Sequence, residues 1–129
     1  MKDIHQHFSL DSLLKFVGIP YEKMDCYELT QYFYRENFDI ELKTLYGQIR
    51  PTPLQTDNLV DSQCKNVWKE VTNPQFGDII LINIMGIASH IGVYLNDKHF
   101  LHSRKGVGSA IDRYGKWEKR IKGYYSCRT

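Results

Sequence analysis

The sequence predicts an α+β fold, with N-terminal helices packed on a central antiparallel β-sheet. Three observations carry this. Before residue 73, apolar side chains recur at helical spacing. After it, they come in short β-branched runs separated by polar turns. The helical part comes first and the strands follow, rather than alternating with it.

Residues 2–17 place Ile4, Phe8, Leu10, Leu14 and Val17 at roughly helical spacing, and Gly18 and Pro20 close that helix. The connector "GIPY" leads into a second helix. Asp25 is its expected N-cap. Cys26, Leu29, Phe33 and Asn37 fall on one face, and the helix ends near Asn37. Residues 44–58 read as irregular, punctuated by Gly47, Pro51 and Pro53. A third amphipathic helix is expected over residues 59–71, through Val60, Cys64, Val67 or Trp68, and Val71. "NPQFGDIILINI" is a turn followed by a strand. "SHIGVYL", "HFLHS", "SAID" and "GYYSCR" supply four further strands.

The chain has 129 residues, which suits one compact domain over residues 1–129. A formal net charge of +2, with the basic residues spread out, argues against nucleic acid as a partner. Residues 116–122 are the densest basic run and read as a solvated face. Three cysteines fit neither a metal spacing nor a disulfide framework, so reduced thiols are expected. The opening "MKDIHQHFSL" lacks the apolar run of a signal peptide, and no stretch approaches a transmembrane span. Synthesis in the cytoplasm without membrane insertion is expected.

The chemistry centres on Cys26. A thiolate is the reactive form, and a helix N-terminus favours it through unpaired N–H groups and the helix dipole. The adjacent Asp25 carboxylate opposes it. A base is also required, usually histidine. Of five histidines, His90 and His102 lie on neighbouring expected strands. Hairpin parity decides whether they share a face. A two-residue turn at Asn96-Asp97 sends them to opposite faces. A three-residue loop that adds Lys98 places His102 opposite Gly92, with His90 as its diagonal neighbour roughly 7 Å away. A shared site therefore requires an odd-length loop or a bulge. Cys64 reads as core, Cys127 carries no assigned chemistry, and His99 reads as exposed. His5 and His7 form no metal site.

The ordered blocks "GIPY", "DC" opening a helix, "FGDIILI", "SHIGVYLND", "FLHS" and "SAIDRYGKWEKRIKGYYSCR" resemble the NlpC/P60 family of papain-like cysteine peptidases. The resemblance covers residues 18 to about 128. It implies that Cys26 is the nucleophile, His90 the general base and His102 the residue that orients His90. It further implies that Tyr21 shapes the oxyanion and substrate pocket, that Asp25 meets a free amine of the substrate, and that Ser89 lines the pocket. The implied activity is hydrolysis of an amide in a peptidoglycan stem peptide, usually between γ-D-glutamyl and the diamino acid, with no cofactor and no metal. Tyr27 and Glu28 stand where the family often has Ser-Gly and are expected to alter the pocket. A bulky residue after the cysteine resembles members encoded with long-tailed phage tails, which makes tail-tip proteins expected partners and a virion tail or the cell envelope the expected location. Two other readings share the fold: a tail-tip assembly protein with little activity, and a thiol amidase or acyltransferase acting on another substrate.

Overall fold

The computed structural model describes residues 10–42, 68–84 and 87–126. The start of the first expected helix with His5 and His7, the irregular residues 44–58, residues 59–67 with Cys64, and Cys127 lie outside the described residues. Helix α1 spans Leu10–Leu13 and tightens into a 3₁₀ turn, Leu14–Phe16. Val17 is extended, so the helix stops one residue before Gly18. Leu13 and Phe16 are buried in the core.

Helix α2 spans Cys26–Phe38. Asp25 starts it with a capping box: Glu28 N–H donates to Asp25 Oδ1 at 2.9 Å, and Asp25 N–H donates to Glu28 Oε1 at 3.0 Å. Asp39, in the left-handed region at φ 57°, ends it. Leu29, Thr30, Phe33 and Tyr34 are buried along the inner face.

Six strands form one antiparallel sheet: β1 Lys69–Val71, β2 Ile79–Ile84, β3 Ile87–Tyr94, β4 His99–Arg104, β5 Gly108–Arg113 and β6 Ile121–Ser126. Their order is β1-β6-β2-β3-β4-β5. A helix on an antiparallel sheet is the expected α+β architecture. Strand β1 is a correction, because the helix expected over 59–71 cannot include its last three residues. Lys69 and Val71 pair with Ser126 and Tyr124 of β6. Pairing with a strand near the other end of the chain overrides the local helical spacing.

The sheet buries both faces. Ile79, Leu81, Ile91, Val93, Leu95 and Leu101 pack with α2 and Trp68 in one cluster. Ile80, Ile82, Phe100 and Trp117 form another on the opposite side. The odd–even split along β2 and β3 is the period of two that strand geometry imposes. Trp117 comes from a 3₁₀ helix, Gly115–Arg120, between β5 and β6. The rest of that helix is exposed, as expected for the basic run. Gly77, just before β2, has φ +91°, and a Cβ there would lie 2.4 Å from the Phe38 ring. The end of α2 therefore packs directly on backbone, and Tyr34 Oη donates to Gly77 O beside it.

Candidate active site

The capping box places Cys26 as the first residue of α2. Tyr27 points into the core at 2% exposure and stacks on Trp68 at a centroid distance of 6.3 Å. Glu28 completes the cap. Of the two departures from Ser-Gly, one thus fills the core and the other closes the helix end.

The β3–β4 ladder opens where the helix start meets it. Its pairs are Tyr94–Phe100, Val93–Leu101 and Gly92–His102, and pairing stops there. Leu95 N–H donates to His99 O at 3.2 Å, so the odd residues of β3 turn their amides toward β4. The N–H of Ile91, next along, turns toward the Cys26 thiol instead and favours its charged form. The β4 side turns to the same place, since Ser103 Oγ donates to Met24 O at 3.0 Å. Cys26 thus sits at the mouth of the ladder, facing the N–H of the residue that follows His90. Among the described residues, no hydrogen bond joins its sulfur to an imidazole.

Leu95 extends the pairing one step past β3 by bonding His99, which leaves the three-residue loop Asn96, Asp97 and Lys98, closed by Asn96 Oδ1, which accepts from the N–H groups of Lys98 and His99 at 2.8 Å each. This is the register that a shared histidine site requires. His102 stands opposite Gly92. A Cβ at position 92 would lie 3.0 Å from the Phe100 ring, 3.1 Å from Leu101 O and 3.4 Å from His102 Cβ, so glycine lets β3 and β4 pack closely where His102 stands. His90 Nε2 and His102 Nδ1 are 2.9 Å apart. His99 is half-buried rather than exposed.

The network continues beyond the pair. His102 Nε2 donates to Asp112 Oδ2 at 2.7 Å. Sequence reasoning did not single out Asp112. The signal was available: "SAID" was an expected strand, and an odd-length turn after β4 puts Asp112 on the face of His102 by the same parity. Trp117 was also missed. Its indole lies parallel to the His90 ring at 6.2 Å and edge-on to His102 at 5.1 Å. Arg104 lies over the same indole at 5.2 Å.

Burial sets the electrostatics. It pushes the Cys26 thiol up to about 12, with the Asp25 carboxylate adding to the rise. The N–H groups of Ile91, Tyr27 and Cys26 pull the other way. Burial pushes His90 down to about 3, and His102 and Arg104 add to that. It lowers His102 too, against the hydrogen bond to Asp112. Both shifts favour the neutral forms, thiol and imidazole, so any reaction at this sulfur would need its proton taken away as the bond forms.

Of the remaining expected residues, Asp25 is buried as the helix cap. Tyr21 is half-buried in the turn after Pro20, where Lys23 N–H donates to Pro20 O at 2.9 Å. Ser89 occupies β3 one residue before His90. The segment that carries Tyr21 is fixed to β5, where Ser109 N–H donates to Ile19 O at 2.9 Å and Ile19 N–H donates to Ser109 Oγ at 2.8 Å. Among the described residues, no group of three His, Cys, Asp or Glu side chains could hold a metal. No helix among them is long and apolar enough to cross a membrane.

The family model described as the NlpC/P60 family matches residues 13–125. No curated protein matches the chain.

Proposed function

Because the chain belongs to the NlpC/P60 family, whose members are generally cysteine peptidases acting on cell walls, we propose that it hydrolyses an amide bond in peptidoglycan stem peptides, between γ-D-glutamyl and the diamino acid. The observation that carries this reading is the hydrogen-bonded pair His90–His102, where the residue after His90, Ile91, turns its N–H toward a cysteine at a helix start. Cys26 Sγ attacks the amide carbonyl while its proton passes to His90. An S–C bond forms, and the carbonyl electrons move to the oxygen. Backbone N–H groups at the start of α2 hold that oxyanion. His90 then gives the proton to the departing nitrogen, and the C–N bond breaks. Water attacks the resulting thioester with its proton going to His90, the carboxylate product leaves, and the thiol recovers its proton.

His102 orients the His90 ring in this reading. Tyr21 and Ser89 line the pocket, and Asp25 meets a free amine of the substrate while it caps the helix. The setting we propose is delivery with a long-tailed phage tail, supported by the bulky residue after the cysteine. Immunodetection in purified virions tests it, and absence from them removes it.

The experiment for the activity is mass spectrometry of defined muropeptides after incubation with the native chain and with Cys26→Ala. The native chain should release the expected fragments, and the variant should be slower by about 10³-fold or more. Equal cleavage by both would remove Cys26 from the chemistry.

A further inference from the structure

The group that extends the histidine pair is Asp112. It lies on β5, where Phe100 faces Asp112 and His102 faces Ala110, so it is the diagonal neighbour of His102 on the Trp117 side of the sheet. A carboxylate oxygen accepts and does not donate. At 2.7 Å from Asp112 Oδ2, His102 Nε2 must therefore carry its proton. In a neutral imidazole the other nitrogen, Nδ1, is then a lone pair, and it can only accept. Its partner at 2.9 Å is His90 Nε2, which must donate. The nitrogen of His90 left without a proton is then Nδ1.

We propose that Asp112 is a positioning residue of this site: it fixes the tautomers of both histidines in series, so that His90 Nδ1 is the open base for the Cys26 proton. This rests on the reading of Cys26 as nucleophile and His90 as base. Without Asp112, His102 can hold its proton on Nδ1. That hydrogen would face the one on His90 Nε2 and drive the His90 proton to Nδ1, which closes the base. Asp112 also offsets the charge created on transfer. When the proton reaches His90, the imidazolium lies in a buried setting with Arg104 nearby, and Asp112 is the carboxylate hydrogen-bonded to the pair.

Two measurements test this without a stem peptide. The first follows alkylation of Cys26 by iodoacetamide at neutral pH, with the adduct located by peptide mass spectrometry. The sulfur forms a bond to carbon, iodide leaves, and the thiol proton goes to His90. Asp112→Ala should slow this about 10- to 100-fold. The second records the nitrogen resonances of the histidine side chains in the native protein. Both His90 and His102 should carry the proton on Nε2 and none on Nδ1.

Alkylation of Asp112→Ala at the native rate overturns the proposal, even if the variant melts earlier, because a purely structural role moves only the melting. A native His102 protonated at Nδ1 overturns it without any variant. A native chain inactive on muropeptides but with the expected tautomers and the slowed variant would sink the substrate and keep the role of Asp112.

Discussion

Tyr27 shows how one position changes meaning between sequence and structure. Beside the nucleophile in sequence, it invites comparison with small residues that leave a pocket open. In the fold, its position one residue past Cys26 turns it inward, and it stacks on Trp68. Burial of a ring this size is worth several kcal/mol, and truncation leaves a cavity that the surroundings only partly fill. Tyr27→Ser, which restores the residue frequent in the family, should therefore cost roughly 3–5 kcal/mol. Thermal unfolding of the purified variant measures it. A variant as stable as the native chain would show that the ring is not a core element. Gly92 is a second single position that matters, because a methyl group there would press on the Phe100 ring and the Leu101 carbonyl beside His102.

At the scale of elements, the N-terminus of α2 performs two tasks that pull against each other. The Asp25 carboxylate completes a capping box, which stabilises the helix by about 1 kcal/mol. The same carboxylate raises the thiol beside it, second only to burial. Asp25→Asn separates the two effects, since asparagine caps about as well and carries no charge. The variant should keep its stability to within about a few tenths of a kcal/mol, and its Cys26 should alkylate at lower pH than the native thiol. A pH–rate curve for iodoacetamide modification reads this directly. An unchanged curve would mean that the carboxylate does not act on the thiol. The β3–β4 hairpin is the other decisive element. Its three-residue loop fixes an even register, and that register alone puts His90 and His102 on one face.

For the molecule as a whole, burial of the two histidines couples stability to acid. His90 ordinarily titrates near 6.5 and in the fold is pushed down to about 3, while His102 is also lowered. Between these values the unfolded chain binds a proton that the folded chain refuses. Stability is therefore fully present above pH 6.5 and is lost as pH falls toward 3, by about 1.4 kcal/mol per pH unit for His90 alone. Calorimetric melting from pH 7 to pH 4.5 should show that slope, and His90→Gln should flatten it. Equal slopes in the two proteins would show that His90 is not held neutral by the fold. By itself, the sequence determined the class of the fold, the capped start of α2, five of the six strands and the condition under which two histidines could meet. These depend on local periodicity, on turn chemistry and on a parity that the chain carries with it. The tertiary structure decided the rest. It made residues 69–71 a strand, because their partner in β6 comes from near the end of the chain. It turned the Ile91 amide toward the Cys26 sulfur, because the ladder opens where a separate helix arrives. It set Asp112 against His102, because a carboxylate finds its hydrogen bond only once two strands are in register and their shared face is covered by Trp117.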